Sequence, residues 1–253
     1  MRGLISLTLI MLGTLQGALK GQDIGTMIQQ GMSLEKSFRD QEALQKFTEV
    51  LAIDPLNLVA LCKGSELANM LGKRQESKDK QKQYYNLAAE YARRAIRIDP
   101  RSADANIAMA ISLGRIALIS SGEEKIKAVK EIKNYADRAI QADPANFKGY
   151  HVLGKWHYEV SDLSSVERWL VKITYGGLPP SSLDEAAKNY EKSLQLNPAF
   201  LLNYLELAKT FSRKDEDRKA VSLLEKMLTL PNSSSDDPKI KALGRKMLDD
   251  LKN

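Results

Sequence analysis

Five X-Pro steps punctuate this chain, each closing an apolar run of helical spacing: Asp54-Pro55, Asp99-Pro100, Asp143-Pro144, Asn197-Pro198 and Leu230-Pro231. The prolines lie 45, 44, 54 and 33 residues apart. Proline lacks the N–H an interior helical residue donates, and its ring clashes with the preceding turn, so each step ends a helix. Recurrence on this scale marks a stacked repeat array, in which each unit buries its apolar face against its neighbours. The function of such an array resides in the surface it presents. The first expectation is therefore a binding scaffold, not an enzyme.

Counting back from Pro55 as position 32 of a repeat puts Gly31 at 8, Leu34 at 11, Ala43 at 20, Phe47 at 24 and Val50 at 27. This resembles the tetratricopeptide unit, two helices A and B with small residues at positions 8 and 20, where a large side chain would force the axes apart. Tyr204, Leu207, Ala208, Phe211, Ala220, Leu224 and Met227 repeat the pattern before Pro231. Three middle repeats fit only with residues inserted between A and B. The small pair is Ser65 and Ala88 in the second, Ala110 with a poorly matching Ile132 in the third, and Gly154 and Ala186 in the fourth.

The first two insertions, about ten residues each, continue the apolar period and so predict longer helices, each gaining roughly one and a half turns. Gly122, Glu123 and Glu124 mark a turn between them, and residues 73–83 form an exposed basic tip. The insertion in repeat four is a helix of its own, with Leu163, Val166, Leu170 and Ile173 on one stripe beside Trp169. Gly176-Gly177 releases it, Pro179-Pro180 prevents its continuation, and Ser182 with Glu185 caps the next helix. The stripe is expected to be covered by the neighbouring repeat, with a separate docking face as the alternative. Residues 239–252 read as a capping helix that shields the last repeat. The predicted fold is an all-α tetratricopeptide superhelix of about five repeats, some with lengthened helices, over residues 23–253.

Residues 1–22 differ in kind. Arg2 precedes an apolar run of secretory length, and the first acid is Asp23, as in a signal peptide cleaved between about Gly17 and Gln22. A retained membrane anchor is the alternative, though Ser6, Thr8, Gly13, Thr14 and Gln16 make the run short and polar for a span. The expected destination is the periplasm or the exterior of a bacterial cell. The net charge is +6 among 253 residues, and loss of Arg2 and Lys20 leaves +4. The charges alternate in sign along the predicted helices, which describes solvated faces, and no nucleic-acid partner is expected. Cys62 is the single cysteine, so no internal disulfide is possible.

Residues 149–209, GYHVLGKWHYEVSDLSSVERWLVKITYGGLPPSSLDEAAKNYEKSLQLNPAFLLNYLELAK, resemble the regulator of microtubule dynamics family of tetratricopeptide proteins. The LGKW-x-YEVS run, the L-x-x-x-ER helix and the PPSS entry into EA-x-x-Y carry the likeness, because the inserted helix and double proline lie outside the ordinary repeat. The resemblance implies the same fold, and implies a cytosolic microtubule-associated role as the competitor to an exported scaffold.

No catalytic, cofactor or metal site is expected. Gly149 to Lys155 satisfies most of a phosphate-loop pattern, but Trp156 replaces the required hydroxyl residue and the segment lies inside a helix. His151 and His157, the two histidines, are six residues apart and face different sides of that helix. His157 reads as core, whereas His151 is placed toward the concave groove. Cys62 reads as a small core residue or a groove-lining one. The groove is expected to be apolar toward the N-terminus, with Ile107 and Ile111, and basic toward the C-terminus, with Lys148, Lys155, Lys209 and Arg213; His151 and Leu205 also face it at position 5 of their repeats. Such a surface is predicted to accept a partner's amphipathic helix or extended peptide carrying acids at one end.

Overall fold

The computed structural model describes residues 23–253, so the expected signal segment, residues 1–22, lies outside the described residues. Among these residues the chain is helical, with no strand. Helix α1 covers 23–36 of the described chain, followed by α2 (Asp40–Ile53), α3 (Leu58–Lys73), α4 (Lys78–Ile98), α5 (Ala103–Ile119) and α6 (Gly122–Ala142). Then come α7 (Phe147–Ser161), α8 (Ser165–Tyr175), α9 (Leu183–Leu196), α10 (Leu201–Ser212), α11 (Asp217–Thr229) and α12 (Asp237–Lys252). The pairs α1/α2, α3/α4, α5/α6, α7/α9 and α10/α11 are the five expected A/B units. The inserted helix is α8 and the terminal cap is α12.

Local chemistry explains the rhythm of the Pro steps. In four of them the residue before proline accepts the N–H two residues on: Asp54 from Leu56 (3.2 Å), Asp99 from Arg101 (2.9 Å), Asp143 from Ala145 (2.9 Å) and Asn197 from Ala199 (3.1 Å). This Asx turn reverses the chain while proline blocks another helical turn. Asn57, Ser102 and Asn146 then cap the next A helix by accepting from Ala60, Ala105 and Lys148. Leu230-Pro231, with no carboxylate or amide, lacks this turn and leads into a longer loop.

The small positions meet as expected. Gly31 faces Phe47 so closely that an added Cβ would lie 2.9 Å from the ring, and Gly154 faces Tyr190 in the same way at 2.8 Å. Ser65 donates to the Ala88 carbonyl at 2.9 Å across the crossing of α3 and α4. The insertions lengthen helices, and they do so unevenly. The B helices α4 and α6 reach 21 residues against 13 in α11, and the A helices α3 and α5 reach 16 and 17 against 12 in α10. At 1.5 Å per residue, B gains about 12 Å and A about 7 Å. Gly122 turns the chain at φ +56° where the acids of α6 begin.

Helix α8 departs from expectation. Ser164 and Glu167 close a reciprocal capping box at its start, and Gly176 at φ +75° ends it. Its apolar stripe is uncovered: Val166, Trp169, Leu170 and Ile173 are all exposed, and Val171 alone is buried. The helix rests on α6, where Lys130 donates to the Tyr175 carbonyl. No neighbouring repeat reaches the other side. The cap behaves as predicted, with Ile240 and Leu248 buried on the last repeat and Gly244 admitting the Met227 methyl.

Successive A helices touch one another, α3 with α5, α5 with α7, α7 with α10 and α10 with α12, so they form the inner, concave layer. The two ends of the array also meet. Arg74, just past α3, donates to Asp40 at the start of α2 (2.7 Å) and to Asp236 in the α11–α12 loop (2.7 Å). It also reaches Ser235 (2.7 Å), Lys73 reaches Asp236 (3.3 Å), and Ser235 donates to Asp40. Burial alone would raise the Asp236 carboxyl, but Arg74 and Lys73 outweigh it and hold it below the usual carboxylate range. This clasp joins repeat two to the C-terminal loop across the open side of the superhelix.

Candidate functional site

The inner faces of the A helices form a cleft of about 320 Å³ between the first four repeats. Met32, Leu58, Cys62, Ile107 and Ile111 supply apolar walls, and Lys63, Glu66, Asn69, Asp104 and Lys148 supply polar ones. Spacing puts them there: Cys62, Glu66, Asn69 and Lys73 recur along one face of α3, and Asp104, Ile107, Ile111 and Arg115 along one face of α5. Burial, with Asp104 and Glu66 nearby, pushes the Cys62 thiol up to about 12, so it lines the wall as a protonated, unreactive group.

The residues expected at the basic end are present, but they are not free. Lys148 is paired with Glu66. Lys155 holds Glu206 and Glu159, each at 2.8 Å, and Lys209 holds the other oxygen of Glu206 at 2.9 Å. Arg213 pairs with Asp162 at 2.8 Å and stacks on Tyr158, 4.5 Å from the ring centre. Burial would raise the Glu66 and Glu206 carboxyls, yet their lysines hold both below the usual range. The expected surplus of positive charge is thus answered inside the fold by carboxylates of the same and of other A helices. Sequence reasoning placed the cations and missed the acids: Glu66 and Glu206 come to Lys148 and Lys155 from 82 and 51 residues away, whereas the Lys209–Glu206 pair, three residues apart, was within reach of a sequence reading.

The other assigned residues divide. Ile111 lines the cleft and is half-buried, whereas Ile107 reaches it while 4% exposed. Leu205, 1% exposed, belongs to the core between α9 and α11. His151 donates from Nδ1 to Asn203 at 2.8 Å, and Asn203 donates to the Tyr190 carbonyl at 2.7 Å. Its ring packs edge-on against Phe200, centres 4.9 Å apart, and burial holds the imidazole below its ordinary pKa. His157 is core, as expected, 6% exposed and edge-on to Trp156.

Two groups that sequence reasoning passed over stand out. Asn69, 2% exposed and lining the cleft, donates to Ser112 at 3.0 Å and leaves Oδ1 without a partner. Arg115, one turn beyond Ile111, leaves a buried Nε without a partner. Their only sequence signal was their register on the inner faces of α3 and α5.

Against the profile of the family described as Regulator of microtubule dynamics protein 1-3, residues 27–252 match. The chain belongs to this family. Regulator of microtubule dynamics protein 1 of Caenorhabditis elegans is 29% identical over 148 residues, 58% of this chain and 66% of that protein. The Bos taurus protein of the same name is 26% identical over 91% of this chain and 73% of its own length. Human regulator of microtubule dynamics protein 2 is 27% identical over 68% of this chain, which spans 42% of that longer protein. Among solved structures, a tetratricopeptide protein of Thermus thermophilus aligns with a TM-score of 0.67 at 14% identity, over 89% of this chain and 98% of its own. PilF of Pseudomonas aeruginosa aligns at 0.56 and 16% identity, over 92% and 87%. The Thermus thermophilus structure establishes the tetratricopeptide fold.

Proposed function

We propose that this member of the regulator of microtubule dynamics family is a non-enzymatic scaffold that holds a segment of a partner protein in its concave cleft. The observation that carries the reading is the cleft itself, an apolar-walled hollow along the inner A helices with a buried, unanswered acceptor at Asn69. A protein segment supplies both what such a wall excludes from water and the N–H donor that Asn69 lacks. The two histidines are occupied as a hydrogen-bonded packing group and a core residue, and the one thiol is held protonated. Among the described residues no helix is long and apolar enough to cross a membrane.

Site-specific photocrosslinking tests this reading. Val59 lines the cleft and is 43% exposed, so a benzophenone side chain fits there without disturbing the core. In the source cell it should trap a discrete partner, while the same group at Lys192 on the outer helix α9 traps none. Equal, diffuse labelling from both positions would sink the proposal. Charge reversal at Lys155 or Lys209 is a poor probe, since either change strips Glu206, 6% exposed, of its counter-ion.

We further propose that residues 1–22 direct the chain out of the cytosol, with the apolar run behind Arg2 as support. The competing reading, a microtubule-associated regulator, is favoured by the names of the relatives. Sequencing the N-terminus of protein recovered from cell fractions separates the two: a start between residues 18 and 23 outside the cytosol supports export. An intact Met1 in the cytosol, with saturable co-sedimentation on polymerised tubulin, supports the competitor.

A further inference from the structure

Arg115 occupies a place no other cation shares. By register it belongs to the face of α5 that carries Asp104, Ile107 and Ile111 into the cleft, four residues beyond Ile111 and just outside the residues that line the cleft. Among the described residues it is the one guanidinium whose buried nitrogen has no partner, and it makes no ion pair. Two carboxylates are near enough to act on it, Asp236 in the clasp and Glu206 on α10, along with the Tyr85 phenol. Neither carboxylate is available. Asp236 is held by Arg74 and Lys73, and Glu206 by Lys155 and Lys209. A positive charge set into a concave protein surface without a counter-ion is costly, and folds that keep one supply an anion. Burial accordingly lowers the affinity of this guanidinium for its proton.

We propose that Arg115 anchors a carboxylate of the segment bound in the cleft. Guanidinium suits this role because its planar fork matches a carboxylate with two parallel hydrogen bonds. The geometry also sets the spacing. Ile111 and Arg115 are about 6 Å apart along the axis of α5. A bound segment that puts an apolar side chain against Cys62, Ile107 and Ile111 therefore carries its acid two residues away if extended, about 6.7 Å, or four residues away if helical. Asn69, hydrogen-bonded to Ser112 one turn before Arg115, offers its vacant Oδ1 to a main-chain N–H between the two. The acid-binding point thus sits one turn beyond the Ile111 end of the cleft, on the cation left over when the expected lysines are paired off. This inference rests on the cleft being a protein-binding site and specifies the chemistry recognised there.

The test is selection of random peptides on the full chain and on Arg115→Gln, whose fold is checked by circular dichroism. One library has its C-terminus fused to the display protein and the other ends in a free carboxylate. On the wild type, enriched peptides should share an apolar residue and a carboxylate at the stated spacing. Enrichment in the fused library assigns the carboxylate to an Asp or Glu side chain, and enrichment in the free-ended library alone assigns it to the chain terminus. Affinity for a selected peptide should fall at least about tenfold on Arg115→Gln, as for loss of a charge-assisted pair. A measurement on the wild type alone is independent of any folding defect: the Arg115 Nε–H resonance should move on adding the selected peptide and not its amide counterpart. Enriched peptides without an acid, or acid-bearing ones that bind Arg115→Gln equally well, overturn the anchor and leave the groove reading intact. No enrichment on folded wild-type protein overturns both.

Discussion

Tyr190 is fully buried with its ring against the bare backbone of Gly154, and burial of a side chain this size contributes roughly 1.5–3 kcal/mol. A methyl group at residue 154 would meet the rigid ring at 2.8 Å, so Gly154→Ala should lower stability by about 1–3 kcal/mol in a urea titration. The histidines make a second prediction at this scale. Burial holds both His151 and His157 below the ordinary 6.5, so below that pH the unfolded chain binds protons the native one does not. Stability is then complete above pH 6.5 and declines as pH falls toward the native values. Melting curves between pH 7.5 and 5 should show this decline, and His151→Gln should reduce it. Arg115 works in the opposite sense. Its unpaired charge is a standing cost, so Arg115→Met should raise stability by about 0.5–2 kcal/mol while weakening the proposed peptide capture. At this scale the identity and register of each side chain were legible in the chain, including His157 as core. Which carboxylate Lys148 and Lys155 had found across the groove was not, because Glu66 and Glu206 reach them from other repeats.

Helix α8 shows how far an element can be read by itself. Its span, its glycine release and its apolar stripe follow from period and end signals, which act within a few residues. Whether the stripe is covered depends on what stands opposite; α6 packs against this helix and Arg168 reaches the Val160 carbonyl of α7 (2.9 Å), while the stripe itself stays exposed. With Trp169 at 61% and Leu170 at 52% exposure, the double change Trp169→Ser and Leu170→Ser should alter stability by no more than about 0.5 kcal/mol per site, read as a melting-temperature shift. A larger loss would mean that the stripe is packed against something in solution. The lengthened helices follow the same rule. Their added turns were predictable from an unbroken apolar period, whereas the larger share taken by α4 and α6 was not, because either helix of a pair can extend into the turn between them.

The whole molecule is closed by a clasp that no repeat contains. Arg74 ties Asp40, 4% exposed, to Asp236 from 162 residues further along the chain. Arg74→Ala leaves Asp40 buried with Ser235 as its remaining partner and should cost about 1–3 kcal/mol, the lower bound set by the partial exposure of Arg74. Small-angle scattering should show a larger radius of gyration for the variant. An unchanged radius would show that packing along the A helices holds the ring without the ion pairs. Closure bears on Arg115 as well, since Asp236, one of the two carboxylates near enough to act on it, is held by Arg74 and Lys73.

The chain by itself determined the all-α repeat architecture, the A/B pairing, the glycine and alanine crossings, the inserted helix and the terminal cap. These rest on proline steps, helix caps and apolar periods, which act over a few residues or between adjacent repeats. Tertiary structure alone decided that Lys148, Lys155, Lys209 and Arg213 are neutralised, that Arg115 and Asn69 are left unanswered, that one face of α8 is bare and that the ends are clasped. Most of those outcomes depend on how the repeats stack, which brings distant side chains within a few ångströms or keeps them apart; the Lys209–Glu206 pair alone lies within one helix turn. A local pattern carries no record of that sum.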